Sequence, residues 1–244
     1  MKNILQRPFR VLSIALAAVT LLTASAVGPP TAAAANRGAN GIDVSHWQGA
    51  IDWQKVRTAG KKFALLKATE GTSFADPKFA NYRAGARAAG IVIGAYHYAR
   101  PDSTAGDAVT EARWMVSQIA PLATDDLRPA LDLESTGGLS AAALTQWVLD
   151  WTNEVYRLTG RRAMIFTWAG FWRNNLADTQ VVAQAGYGFW ASDGSSKKSP
   201  RLPATNWGGS GWWFWKYDNC GSVAGIGGCV DLDRSNGMDL TKYM

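Results

Sequence analysis

The chain has 244 residues, 47% of them hydrophobic, with a formal charge of +6 at neutral pH. Three of the basic residues, Lys2, Arg7 and Arg10, precede an apolar stretch at 11–22; without residues 1–35, 22 Lys and Arg stand against 19 Asp and Glu, a charge of +3. That balance is too small to argue for nucleic acid and would mildly favour an anionic surface such as a cell wall.

Residues 1–35 read as a secretory leader: a basic start, an apolar core and a small-residue tract. Cleavage is expected after Ala26 or within Ala32 to Ala35, the later site, just before Asn36, being favoured. The apolar core is shorter than the roughly 20 residues a membrane span needs, and no comparable segment follows. A secreted, extracellular protein is expected, without stable membrane association, as a single domain over 36–244 and a monomer.

After the leader, short apolar runs alternate with helical patterns, as in strand-helix units around a parallel sheet. A strand is expected over 41–45. Asp52 then caps a helix at 53–59 that Gly60 ends. A second strand covers 62–69. A helix over 77–89 has Pro77 in its first turn and Gly90 after its last. A third strand, 91–98, is followed by a helix at 103–120 with Ala112, Met115, Val116 and Ile119 at core spacing. The fourth strand, within 128–134, ends in Asp132 and Glu134. Ser140 caps a long helix over 141–158 that stops at Gly160, and a fifth strand covers 164–168. Beyond it the helical signal fades to a short helix at 171–176. Strands at 186–191, 211–217 and 230–233 complete the chain.

The most informative local feature is the pair Asp132 and Glu134. Strand side chains alternate, so residues i and i+2 share a face, roughly 7 Å apart. Like charges that close push one proton affinity upward, which leaves one acid and one base near neutrality. That suits cleavage of a glycosidic bond. In a closed parallel barrel functional groups gather at the carboxyl ends of strands, and the first and last strands are neighbours. Asp43 in the first strand and Asp231 in the last are therefore expected to approach one another, although both also suit turn or strand-end capping.

Sugar rings pack their C–H faces on aromatic surfaces, and the chain carries 12 tryptophans. Trp47, Trp168, Trp190, Trp213, Trp215, Tyr96 and Tyr98 fall at or near strand ends, whereas Trp114, Trp147 and Trp151 fall in helices. For any single tryptophan core packing is the simpler reading; the set favours a groove. Cys220 and Cys229, the only cysteines, suit a disulfide closing a glycine-rich loop in an exported protein. With only His46 and His97 beside them, they do not make a metal-ligand spacing. No metal and no cofactor is expected. Ser45 and His46 lack a nucleophile elbow, and neither Gly208-Gly209 nor the glycines at 225–228 have the context of a phosphate loop.

Six segments in order, Gly41-Ile-Asp-Val-Ser-His-Trp-Gln-Gly49, Lys67-Ala-Thr-Glu-Gly71, Gly94-Ala-Tyr-His-Tyr98, Asp132-Leu-Glu134, Trp215-Lys-Tyr217 and Val230-Asp-Leu-Asp233, resemble the family-25 glycoside hydrolases, the Chalaropsis-type lysozymes. The resemblance runs from Gly41 nearly to the end of the chain. It implies a modified TIM-like α/β barrel of five strand-helix units followed by three strands, (β/α)5(β)3. It also implies an N-acetylmuramidase acting on the glycan strands of bacterial peptidoglycan. Matched by position, Glu134 is the expected general acid, Asp132 the carboxylate beside it, and Asp43 and Asp231 the further acids of the site. Tyr96, Tyr98, Trp168, Trp190, Trp215 and Lys67 are expected to bind substrate. Two residues depart from the family's pattern. Phe166 stands where many relatives have tyrosine, removing a hydroxyl, and Lys216 stands where glutamine is usual, which bears on groove polarity. A wall-binding protein without turnover and a glycosidase for another N-acetylated polysaccharide such as chitin are the alternative readings.

Overall fold

In the computed structural model residues 38–195 and 198–244 are described; the expected leader lies outside them. The elements run β1 (Asn40–Val44), α1 (Trp53–Thr58), β2 (Phe63–Glu70), β3 (Phe74–Ala75), α2 (Phe79–Ala88), β4 (Val92–Tyr98), α3 (Asp107–Ile119), β5 (Ala130–Asp132), α4 (Ala141–Thr159), β6 (Met164–Thr167), α5 (Ala169–Asn175), α6 (Val181–Gln184), β7 (Gly188–Ser192), β8 (Phe214–Gly221) and β9 (Val230–Ser235).

Local chemistry explains several boundaries. The Asp52 side chain accepts from the Lys55 amide at the start of α1, and the Ser140 hydroxyl from the Ala143 amide at the start of α4. Gly160 ends α4 in the left-handed conformation that costs other residues a Cβ clash. The two-residue β3, which folds back on β2 as a hairpin, was not expected, nor were the short α6 and a left-handed turn at Ala204–Gly208 with φ near +50° at Thr205, Asn206 and Trp207.

Eight strands close into a barrel in the order β1, β2, β4, β5, β6, β7, β8, β9, and β9 returns to β1. The pairings from β1 through β8 are parallel, whereas β9 is antiparallel to both β8 and β1. This is the (β/α)5(β)3 barrel that the resemblance implies. The loop from β8 to β9 is tied by the Cys220–Cys229 disulfide. It docks beside the segment after β1 through an Ile51–Ile226 bridge and a hydrogen bond from Gln48 Nε2 to the Cys229 carbonyl (3.4 Å).

Apolar residues divide into two layers because strand side chains alternate. Ile42, Leu66, Ile93, Leu131, Leu133 and Ile165 pack outward against Met115, Val148, Trp151 and Trp172 of the helices. Phe63, Leu65, Tyr96, Ala130, Met164, Phe166, Trp190 and Phe214 fill the inside. The interior is a packed core closed below the rim, so any polar site on this axis must sit at one end.

Small residues make room for that filling. A Cβ on Gly41 would run into the ring of Phe63, and one on Gly188 into the ring of Trp213. Gly41→Ala should therefore lower stability by about 1 to 3 kcal/mol through overpacking, read as a lower thermal midpoint; an unchanged midpoint would show that the Phe63 ring can yield.

Candidate active site

The carboxyl ends of the parallel strands form one rim, and here the apolar filling gives way to acids. Asp43 on β1 lies directly across from Asp231 on β9, as register partners. Because β9 runs antiparallel, its amino end reaches the same rim as the carboxyl ends of its neighbours. Asp132 ends β5 between Tyr98 of β4 and Phe166 of β6. Glu134 lies just past the strand and is half-buried.

A fifth acid lies deeper. Asp233 is two residues beyond Asp231 on β9, opposite Gly41 and Lys216, and is fully buried. Trp190 Nε1 donates to its Oδ1 at 2.7 Å. Burial pushes Asp233 up to about 6, despite the opposing pull of the Lys216 ammonium and the hydrogen bonds from Asp43 and Trp190. Asp43 is raised well above the carboxylate range, first by burial and then by the charges of Asp233 and Asp231, with Lys216 opposing. Asp132 is also raised well above it by burial and by Glu134 beside it. Burial raises Glu134 too, with Asp231 adding and Lys216 and Lys67 opposing.

Lys216 projects from β8 into this group. Its Nζ donates to Asp231 Oδ2 at 2.9 Å and lies 3.5 Å from Asp43 Oδ2. It also lies 4.2 Å from the centre of the Phe166 ring. Phe166 and Lys216, the two residues the resemblance singled out, are thus in contact. Lys216 belongs to the acid cluster itself, a larger role than the groove polarity the sequence suggested.

A closed eight-stranded barrel with paired acids at one rim has the layout of a glycosidase site, and comparison with known proteins decides the family. The profile of glycosyl hydrolases family 25 matches residues 42–226. The chain belongs to this family. Over 208 residues it is 36% identical to lysozyme M1 of Streptomyces globisporus, covering 82% of this chain and 68% of that protein. It is 34% identical over 143 residues to an N,O-diacetylmuramidase of a Chalaropsis species, covering 54% of this chain and 67% of that one. In three dimensions it is similar to the bacterial lysozyme of Streptomyces coelicolor, with a TM-score of 0.77 and 33% identity over 84% of this chain and 96% of that structure. It is a glycoside hydrolase of the muramidase class.

Within this family-25 enzyme the expected binding residues separate into two groups. Trp168 is 41% exposed beyond β6, its ring edge-on to Phe171 at 5.2 Å. Tyr98 ends β4 at the rim, flanked by Lys67 Nζ at 4.9 Å and the Arg100 guanidinium at 4.7 Å from its ring centre. Lys67 is held by Glu70 at 2.5 Å, and Glu70 also pairs with Arg100. A bulge in β2 between Lys67 and Thr69 makes this possible. Lys67 pairs with inward Tyr96, whereas Thr69 faces out to His97, bonded at 2.8 Å.

Trp190 and Trp215 are not groove residues. Trp190 is 1% exposed inside the barrel, its indole N–H committed to Asp233. Trp215 is 2% exposed in the outer layer, where its Nε1 donates to the Asp193 carbonyl at 2.9 Å. A strand-end position fixes height along the barrel but leaves the face undecided, and both faces here are covered. Tyr96 is also buried, below the acids and 6.0 Å from the Trp190 ring. The exposed aromatics on the rim are instead Trp168, Trp47 and Phe74, the last two flanking His46.

Sequence reasoning missed Asp233 and the central place of Lys216. The alternation that joined Asp132 to Glu134 applies equally to Asp231 and Asp233, so the signal was present. Because Asp233 binds a proton more tightly folded than unfolded, its contribution to stability is full below about pH 4 and is lost as pH rises through about 6. Asp233→Asn removes that loss, so the stability of the variant relative to the parent should rise between those limits by roughly 2 to 3 kcal/mol. Urea denaturation at a series of pH values would measure it; a constant gap across the window would refute the assignment.

Proposed function

We propose that this enzyme is an exported lysozyme that hydrolyses the β-1,4 bond between N-acetylmuramic acid and N-acetylglucosamine in bacterial peptidoglycan. Glu134 is the proton donor and Asp132 its partner. The observation that carries this reading is the graded pair at the end of β5: a buried carboxyl below, a half-exposed one above, both with raised proton affinity. The substrate class rests on the relatives, one named a lysozyme and another an N,O-diacetylmuramidase.

In this mechanism the two carboxyls, both raised first by burial, titrate as a unit and share one proton. Glu134 is the member a bound glycan can touch, so the reactive form is the one in which it carries the shared proton and donates it to the leaving glycosidic oxygen. As the proton leaves, positive charge develops on the sugar ring. Asp132, ionised below it, stabilises that charge. Asp132 Oδ1 is buried without a hydrogen-bond partner among the described residues, so a negative charge on Asp132 acts on the sugar through space rather than by direct contact. Asp43 and Asp231 complete the negative field, and the exposed rings of Trp168, Trp47 and Phe74 offer surfaces for sugar faces.

Export, with residues 1–35 removed, is supported by the Cys220–Cys229 disulfide, since such bonds persist in oxidising compartments. Among the described residues no helix is long and apolar enough to cross a membrane.

Glu134→Gln keeps shape and removes the proton donor. It should lower turnover on purified cell walls by roughly 100-fold to 10,000-fold with an unchanged circular dichroism spectrum. Mass spectrometry of the parent's soluble products should show reducing-end muramic acid. Near-parental turnover in the variant would remove Glu134 from its role, binding without reducing ends would indicate a wall-binding protein, and faster release from chitin would change the substrate.

A further inference from the structure

The acid cluster contains one cation whose role the mechanism above leaves open. Asp43 and Asp231 stand directly opposite each other on antiparallel strands, and like charges in that relation repel. The Lys216 ammonium bridges them, 2.9 Å from one and 3.5 Å from the other. Its side chain is only 14% exposed. Moving an ammonium this far from water is costly unless charges nearby compensate it. The π-faces of Phe166 and Trp190, 4.2 and 5.7 Å away, complete its enclosure.

Each element around Lys216 contributes its own charged or aromatic groups. β1 supplies Asp43, β9 supplies Asp231 and Asp233, and β5 and its extension supply Asp132 and Glu134. β2 supplies Lys67 and β4 the phenol of Tyr96, while β6 and β7 offer only Phe166 and Trp190. Lys67 is engaged by Glu70 at 2.5 Å, outside the cluster. Among the described residues Lys216 is thus the cation ion-paired with these carboxyls.

We propose that Lys216 is a positioning residue for the glycosidase reaction: its ammonium, clamped between Asp43 and Asp231, sets the pH range over which Glu134 keeps its proton while the carboxylates around it are ionised. The inference rests on the assignment of Glu134 as donor. Burial favours the protonated form of Asp43, Asp132, Glu134 and Asp233, and the strongest influence opposing burial on each is the Lys216 charge. Lys216 in turn keeps its proton: burial works against it, but Asp43, Asp231, Asp132 and Asp233 together raise its proton affinity. The ammonium is therefore a fixed charge across the working range. It prevents a cluster of buried acids from becoming uniformly neutral, a state in which no carboxylate would remain to stabilise the developing positive charge.

Removing the ammonium raises every carboxyl's proton affinity, so both limbs of the pH profile of kcat/KM move to higher pH. Lys216→Met should shift them by about one pH unit, whereas Lys216→Arg, which keeps the charge, should leave the limbs within a small fraction of that. A merely structural role would lower activity or thermal stability without moving the limbs. Folded Lys216→Met with unmoved limbs would overturn the proposal. Should that variant not fold, the parent protein decides: with 13C-labelled lysine, the Lys216 Cε resonance must stay at its charged position throughout the active range, and titration within it would equally overturn the proposal. Glu134→Gln measured in parallel separates the two ideas. Retained turnover there removes the donor assignment, while an inactive Glu134→Gln beside unmoved limbs in Lys216→Met removes only the role of Lys216.

Discussion

The antiparallel insertion of β9 between β8 and β1 is the constraint on which the site depends. A parallel last strand would carry its amino end to the floor of the barrel and leave Asp231 far from the other acids. Reversed, β9 brings Asp231 to the rim opposite Asp43 and drops Asp233 one pleat deeper, beside Lys216. The disulfide that ties the β8 to β9 loop holds the turn that makes this reversal. One topological choice thus gathers side chains nearly 190 positions apart in sequence.

That gathering creates an electrostatic problem, and the interior of the barrel solves it locally. Five carboxyls in a poorly hydrated space cannot all ionise. Some of the burden shows as raised proton affinity, as at Asp43, and some is met by directed hydrogen bonds, as from Trp190 to Asp233. The rest is met by Lys216. The large side chains below the rim contribute indirectly. Phe63, Phe166, Trp190 and Phe214 seal the barrel from water, so the charges above them interact strongly and the Asp132 and Glu134 pair is held at one open end.

Much of the fold was legible because it is written in short-range chemistry. Caps at Asp52 and Ser140, the stop at Gly160 and the alternation of apolar runs located nearly every strand and helix. Boundaries moved where long-range contacts decide: β5 is three residues long and Glu134 stands beyond it, and α3 begins at Asp107 rather than 103. β3 and the left-handed turn at Ala204–Gly208 were not legible, since a two-residue strand and a run of positive φ at non-glycine residues leave no periodic trace. In the site, the four acids could be named from strand ends. The tryptophans could not be sorted, because Trp190 and Trp215 sit in adjacent strands on opposite faces, and a residue's face depends on register with its neighbours.

The sequence by itself determined the order of strand-helix units, the identity of the paired acids at the end of β5 and the resemblance that named a chemistry. These are properties of neighbouring residues, or of segments that can be matched one after another. Only the tertiary structure decided that Asp233 joins the cluster, that Trp190 serves that acid from within the core, and that Lys216 and Phe166 meet. The physical reason is that charge compensation acts through space: an ammonium on β8 and carboxylates on β1, β5 and β9 have no sequence relation, and become one site only when the barrel closes.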